Sequence, residues 1–95
     1  MNALDALGNQ VRRDILQALR PAPLSVGDLA ERFPISRPAV SRHLRILEEA
    51  GLVQAKDEGT RNLYEIRLEG FACVRDFLDG FWATALDRLK ELSKG

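Results

Sequence analysis

The chain has 95 residues, 45% hydrophobic and 29% charged, which is ordinary for one small soluble domain. No apolar run approaches the ~18–20 residues that a membrane span needs, and the amino terminus lacks a secretion-signal pattern, so we expect a cytoplasmic protein. The net charge is zero and the single cysteine, Cys73, excludes an internal disulfide framework.

The amino-terminal segment predicts helix, because its apolar residues recur at spacings of three and four. These residues are Leu4, Leu7, Val11, Ile15 and Leu19. Asn9 suits either the cap of a second helix or a joint in the first. Pro21 and Pro23 end the region, because proline has no amide donor and restricts the residue before it.

Two short helical patterns follow, over residues 25–32 and 36–50. Ser25 and Ser36 are good N-caps, and Asp28, three residues after Ser25, approximates a capping box. Two short helices separated by about four residues, the second with an apolar stripe and an opposite basic side, are typical of a helix-turn-helix motif.

The second of these helices, residues 36–50, is called the recognition helix from here on. At about 100° per residue, Val40, Leu44 and Leu47 face inward. The outward side and its flank carry Ser36, Arg37, Pro38, Ser41, Arg42 and Arg45. Arginine there can donate paired hydrogen bonds to guanine in the major groove, and serine can contact bases or phosphates. The alternative is a solvated charged face without a ligand.

Two further residues of the recognition helix have different expected roles. Arg45 lies further along the helix and suits a phosphate better than a base. His43, the only histidine, lies beside the buried stripe, so we expect a helix-packing residue or a secondary DNA contact. Ser41 and His43 are two positions apart and do not face each other on a helix, so they form no hydrolytic dyad. Without a nucleophile–base pair, metal set or phosphate loop, we expect no enzyme.

Residues 52–68 predict a β-hairpin, the wing, directly after the recognition helix. Residues 57–60 have turn chemistry, and apolar residues alternate in the second strand. Lys56, Thr60 and Arg61 could reach an adjacent minor groove or phosphates. The alternative is an ordinary exposed turn, since the acids at its start offset the basic charge.

Residues 70–93 predict a long helix with apolar residues at every third or fourth position. Its apolar residues form a band wider than one helical stripe. A monomer of this size does not have enough packing surface to bury that band. We therefore expect Phe77, Phe81 and Trp82 to be buried against a second subunit. Gly80 suits either close helix approach or a kink.

Several segments resemble the ArsR-type repressors. Residues 6–16 look like the opening helix of that family, and residues 24–30 are similar to its first helix-turn-helix element. Residues 35–47 closely resemble its recognition helix, while residues 50–53 and 59–61 resemble the exit from that helix and the wing. The resemblance covers nearly the whole chain.

The resemblance implies one winged helix-turn-helix domain over residues 1–95, mainly α with a small β-hairpin. It implies a homodimer joined by the amino- and carboxy-terminal helices, which binds a partly palindromic operator in double-stranded DNA near a promoter. The recognition helices would then lie about one DNA turn, ~34 Å, apart. The implied base-facing residues are Arg37, Pro38, Ser41 and Arg42. The expected dimer contacts are Leu4, Leu7, Phe77, Phe81, Trp82 and Leu89.

The sequence departs from the metal-sensing members of that family. Residues 25–28 read Ser-Val-Gly-Asp where many members have a cysteine pair, and the last helix has no histidine. One cysteine and one histidine do not readily supply three or four metal ligands, so we expect no metal and no cofactor. Cys73 suits a small apolar packing residue, with a redox role through its symmetry mate as the alternative. The resemblance is closest to metal-free members, which include small autorepressors, and it supplies no effector.

Two functions remain in different classes. The first is a sequence-specific transcriptional repressor that acts by promoter occlusion. The second is a winged-helix protein–protein interaction module without DNA specificity, which the zero net charge leaves open. Three arginines without an acid over residues 36–47 favour the first, because an interaction module has no need of them.

Overall fold

The computed structural model describes residues 1–94 of the chain. Five α-helices, a three-stranded sheet and one 3-10 helix make up this part of the chain. In chain order they are α1 Ala3–Ala6, α2 Gln10–Leu19, β1 Leu24–Ser25, α3 Val26–Arg32, α4 Arg37–Glu49, β2 Val53–Glu58, β3 Arg61–Ile66, the 3-10 helix Leu68–Phe71 and α5 Ala72–Lys94.

Side-chain caps fix the beginnings of the first four helices. Asn2 caps α1 and Asn9 caps α2, so the amino-terminal apolar stripe is divided between two helices. The Ser25 hydroxyl accepts from the Asp28 amide at 3.0 Å, and the Asp28 carboxylate accepts from the Ser25 amide at 3.2 Å. Ser36 caps α4 by accepting from the amide of Ala39. Each cap satisfies amide donors that the first turn of a helix leaves without partners.

The sheet contains one strand more than the expected hairpin. β2 and β3 form the antiparallel hairpin, with Val53 opposite Ile66 and Glu58 opposite Arg61. The two-residue strand β1 pairs antiparallel with the other edge of β3, with Leu24 opposite Tyr64. The strand order is therefore β1-β3-β2, and β1 attaches the start of α3 directly to the wing.

The core lies where α2, α3, α4 and the sheet meet. Its largest fully buried side chains are Ile15, Leu29, Val40, Leu44, Leu47, Leu52 and Val53. Arg12 is also buried, and its Nε donates to the carbonyl of Ala6 at 2.7 Å, which joins α2 to α1. Burial of a guanidinium is costly without such a partner.

The junction before the last helix differs from the expected one. The hairpin ends at Ile66, and the chain passes through the 3-10 helix Leu68–Phe71 before α5 begins at Ala72. Gly70 packs directly on the carbonyl of Gly51, which has a positive φ of 79° at the end of α4. Glycine adopts this left-handed conformation without strain because it has no Cβ, and a residue in that conformation commonly ends an α-helix.

The helix α5 projects from the rest of the domain. Phe71 and Val74 pack against the core, but every residue from 75 to 93 is exposed. The overall dimensions are 62 × 26 × 24 Å, and the long axis reflects this projecting helix. No helix within residues 1–94 combines the length and apolarity needed to cross a membrane.

Candidate nucleic-acid interface

The helix α4 presents its apolar side to the core and its basic side to solvent. Val40, Leu44 and Leu47 are at most 1% exposed, in contact with the neighbouring helices. The exposed side carries Ser36, Arg37, Pro38, Ser41, Arg42 and Arg45. Because the buried stripe fixes the rotation of α4, these side chains share one outward surface.

The three arginines of α4 are available to an external anion. Among residues 1–94, no ion pair involves Arg37, Arg42 or Arg45. The sequence from 36 to 47 also contains no acid that could neutralise them. This helix therefore carries a local positive surface on a chain whose net charge is zero.

The start of α3 makes room for one of these arginines. The guanidinium of Arg37 lies over Gly27, and an ideal Cβ at Gly27 would be 3.2 Å from Arg37 Nη2. A side chain at this position would require Arg37 to shift. This contact could not be predicted from the sequence, because ten residues and a turn separate the two positions.

His43 lies between the buried and exposed sides of α4, as its helical angle predicts. Its side chain is half-buried, and the buried Nδ1 makes no hydrogen bond within the described part of the chain. Burial lowers the pKa of His43 below its ordinary value, and the positive charges of Arg12 and Arg42 lower it further. His43 is therefore a neutral packing residue close to the outward surface near neutral pH.

The wing carries the other predicted basic residues, and two of them have acidic partners. Lys56 Nζ lies 3.8 Å from the carboxylate of Glu65 on the neighbouring strand. Arg61 Nη2 donates to Asp28 Oδ2 at 3.0 Å. Thr60 is exposed at the turn. The expected partial neutralisation of the wing thus comes from Glu65 and Asp28, not from the acids beside the turn.

Asp28 connects the wing to the helix-turn-helix motif. The same carboxylate oxygen accepts from the Ser25 amide and from Arg61, so it belongs to both the capping box and the ion pair. Hydrogen bonds with the backbone and hydroxyl of Ser25 lower the pKa of Asp28, and the charges of Arg61 and Arg32 lower it further. Asp28 is consequently ionised throughout the neutral range.

A second surface, separate from the basic one, consists of exposed apolar residues on α5. The rings of Phe77 and Phe81 lie 5.0 Å apart in a tilted arrangement, and Trp82 is 67% exposed. Further exposed apolar residues on this helix are Leu78, Leu86, Leu89 and Leu92. Leu4 is exposed on α1, which contacts α5, whereas Leu7 packs partly against the core.

Residues 1–94 contain no group of three or more His, Cys, Asp or Glu side chains placed to hold a metal ion. Cys73 is exposed at the start of α5, and its thiol lies 3.8 Å from the carbonyl of Gly70. The expectation that Cys73 packs as a small apolar residue is therefore wrong for the single subunit, because Cys73 is exposed and does not pack against the core.

Comparison with known proteins identifies relatives of one kind. A family model described as a helix-turn-helix domain matches residues 7–54. The chain is 44% identical over 90 residues to an HTH-type transcriptional regulator of Mycobacterium tuberculosis, covering 95% of this chain and 84% of that protein. It is 35% identical over 65 residues to the transcriptional repressor SdpR of Bacillus subtilis, covering 68% of this chain and 72% of that protein.

The solved structures that resemble this chain are also those of possible transcriptional regulators. A possible transcriptional regulator for arsenical resistance superposes with a TM-score of 0.79 at 38% identity, covering 96% of this chain and 95% of that one. A homodimeric winged helix-turn-helix DNA-binding domain from Mycobacterium bovis, a possible ArsR-family regulator, has a TM-score of 0.65 at 33% identity. That match covers 79% of this chain and 73% of the other.

Proposed function

The chain belongs to the ArsR family of winged helix-turn-helix transcriptional regulators, and from that membership we propose that it is a cytoplasmic repressor. In this proposal a homodimer binds a partly palindromic operator that overlaps a promoter. Occupation of the operator excludes the transcription machinery from the promoter.

One observation carries the proposal: Arg37, Arg42 and Arg45 are exposed on one side of α4 without an acidic partner among residues 1–94. Guanidinium groups match both phosphate oxygens and the paired acceptors of guanine. A helix that enters the major groove presents its amino-terminal residues to the base edges. The positions of Arg37 and Arg42 in the first two turns therefore support base contacts.

The remaining residues of α4 complete this proposed surface. Pro38 and Ser41 lie on the same exposed side and would contact base edges, while Arg45, one turn further along, would contact a phosphate. Ser36 caps the helix and would approach the phosphate backbone. His43 would support α4 from its half-buried position and make at most a peripheral contact.

The wing would add contacts outside the major groove. Lys56, Thr60 and Arg61 are exposed on the hairpin and would reach phosphates or the adjacent minor groove. These contacts contribute affinity and a dependence on salt, but little sequence information. Base choice would therefore depend on α4.

Dimerisation would use the apolar surface of α5 together with α1. Phe77, Phe81, Trp82 and Leu89 are all exposed in the single subunit, and large exposed apolar patches mark interaction sites. Leu4 on α1 and Leu7, directly after α1, would extend the interface. A twofold dimer has two identical recognition helices, which corresponds to a partly palindromic operator.

The proposed repressor would respond to no metal. Its single cysteine and single histidine lie on different helices, and thiolate and imidazole are the ligands that transition metals prefer in such sensors. We expect that added zinc leaves the affinity for operator DNA unchanged, and that a chelator also leaves it unchanged. A chelator-reversible loss of binding on zinc addition contradicts this part of the proposal.

Fluorescence anisotropy of a labelled duplex tests the proposed function. The duplex carries the DNA upstream of the coding sequence of this chain, and a scrambled duplex of equal length is the control. We expect tighter, salt-sensitive binding to the upstream DNA, measured at about 50 mM and 200 mM salt. An operator–reporter fusion then distinguishes repression from activation.

The other outcomes of this test have defined meanings. Equal weak binding to both duplexes contradicts autorepression and places the operator elsewhere. No binding to either duplex at low salt contradicts the repressor and favours the protein–protein interaction module. Higher reporter expression in the presence of the protein contradicts promoter occlusion while retaining specific DNA binding.

A further inference from the structure

The wing arginine Arg61 is paired with a carboxylate of the helix-turn-helix motif, 33 residues away in the sequence. We propose that Asp28 competes with a DNA phosphate for Arg61, so that Arg61 exchanges the Asp28 carboxylate for a phosphate when DNA binds. This inference rests on the proposed function, because it requires the wing to approach the DNA backbone.

The position of Asp28 is fixed before DNA binds. Its carboxylate accepts from the Ser25 amide at 3.2 Å and closes the capping box at the start of α3. Arg61 begins β3, whose opposite edge pairs with β1, the strand that leads into α3. The short sheet therefore holds the two charged groups in register, at an Nη2–Oδ2 distance of 3.0 Å.

The pair occupies the place where two parts of the proposed DNA surface meet. Gly27, next to Asp28, contacts the guanidinium of Arg37 from α4. A cleft beside this contact is lined by residues of α3, α4 and β3, including Gly27, Asp28, Glu31, Arg37 and Asn62. Asp28 thus pairs with an arginine of the wing and lines the same cleft as an arginine of α4.

A carboxylate and a phosphate bind guanidinium in the same way, through paired oxygen acceptors. The side chains of Arg61 and Asp28 are 60% and 38% exposed, so the ion pair is screened by solvent and salt and is readily exchanged. The exchange still carries a cost, because Arg61 must give up one anion before it neutralises another. Asp28 would therefore reduce the affinity for DNA through Arg61.

A double-mutant cycle measures this competition on a random-sequence duplex at low salt. Asp28→Asn removes the charge but keeps an oxygen acceptor for the Ser25 amide, and we expect it to tighten DNA binding about two- to fivefold. Arg61→Gln removes the other partner. When Arg61 is already replaced by Gln, we expect Asp28→Asn to tighten DNA binding no more than the charge control Glu31→Gln does.

Glu31→Gln is the matched control for general charge. Glu31 lies on the same helix and lines the same cleft, but it makes no ion pair with any residue of 1–94. Thermal unfolding of each variant verifies the fold, and Asp28→Ser serves as a second neutral variant if the asparagine variant does not fold.

Three results would contradict the proposal that Asp28 and a DNA phosphate compete for Arg61. If Asp28→Asn tightens binding equally with and without Arg61, the effect is general repulsion from DNA. If it weakens binding in the parent, Asp28 positions Arg61 and does not compete. In both cases DNA binding by the parent protein survives, and so does the proposed function. If the parent binds no duplex at low salt, the proposed function fails together with this inference.

Discussion

At the scale of single residues, Arg42 offers the most direct test of base recognition. Its side chain is exposed on α4 and has no ion-pair partner within residues 1–94. We expect Arg42→Ala to weaken specific binding by about 1–3 kcal/mol and to relax the preference at one base pair. Anisotropy titrations against single-base operator variants measure both effects.

The matched control is Arg75→Ala, which removes an exposed arginine of α5 outside the proposed DNA surface. We expect this variant to retain both the affinity and the base preference of the parent. If Arg42→Ala lowers the affinity for operator and random DNA by the same factor, Arg42 contacts phosphate and not a base.

His43 gives the domain a predicted dependence of stability on pH. Because the pKa of His43 is lowered in the folded chain, the unfolded chain binds more protons as the pH falls through about 6.5. This contribution to stability is therefore complete above that pH and decreases below it, because the half-buried imidazole must accept a charge near Arg12 and Arg42. Thermal unfolding between about pH 7.5 and pH 5.5 measures the decrease.

His43→Gln is the control for this dependence, since glutamine does not titrate. We expect the midpoint of unfolding of His43→Gln to change less between the two pH values than that of the parent. An equal change in both proteins assigns the dependence to other groups and refutes the role of His43.

The residue scale also shows how far the candidate site could be predicted. Helical periodicity was sufficient to place Arg37, Arg42 and Arg45 on the exposed side of α4, because the burial of one apolar stripe fixes the rotation of a helix. It could not identify Asp28 as the partner of Arg61, because their contact depends on the pairing of β1 with β3. Charge patterning along the chain reports neighbours in sequence and not neighbours in space.

At the scale of elements, the junction between α4 and α5 depends on Gly70. A Cβ at Gly70 would overlap the carbonyl oxygen of Gly51, and the obstructing atom is backbone that has no alternative rotamer. We expect Gly70→Ala to lower the free energy of unfolding by about 3 kcal/mol or more, because the end of α4 must separate from the 3-10 helix. Urea unfolding followed by circular dichroism measures the change.

Gly80→Ala is the contrasting variant within α5. An ideal Cβ at Gly80 meets no atom of the described chain within 4 Å, and α5 continues through this position as an α-helix. We therefore expect Gly80→Ala to raise the free energy of unfolding by roughly 0.5–1 kcal/mol. A loss of stability in Gly80→Ala shows instead that a second subunit packs closely against this glycine.

The elements themselves were predicted to different extents. The capping serines and the apolar periodicity correctly indicated α3 and α4, since local hydrogen bonds determine where a helix begins. The strand β1 was missed, because two residues are too few to show alternation. The 3-10 helix before α5 was missed as well, because its apolar spacing merges with that of the following helix. The predicted class, a mainly α winged helix-turn-helix domain, is confirmed by the structural neighbours.

At the scale of the whole molecule, the proposed homodimer would explain the arrangement of α5. Within one subunit, Val74 is the only residue from 72 to 93 that is partly buried, although the exposed apolar residues of this helix span Phe77 to Leu92. An isolated helix gains little stability from backbone hydrogen bonds alone and depends on the burial of an apolar face. Pairing with a second α5 would provide that burial and would hold two copies of α4 about 34 Å apart for successive major grooves.

Phe81→Asp tests this assembly, with Ala83→Asp as its matched control. Phe81 is 63% exposed on the apolar side of α5, whereas Ala83 lies on the opposite side by helical periodicity. We expect Phe81→Asp to be monomeric by sedimentation velocity and to lose at least about a hundredfold in operator affinity, because two linked half-site contacts become one. Ala83→Asp introduces the same charge into the same helix and should remain dimeric. If Phe81→Asp also stays dimeric, the apolar face of α5 is not the interface. If it becomes monomeric yet binds the operator as tightly as the parent, DNA recognition does not require the dimer.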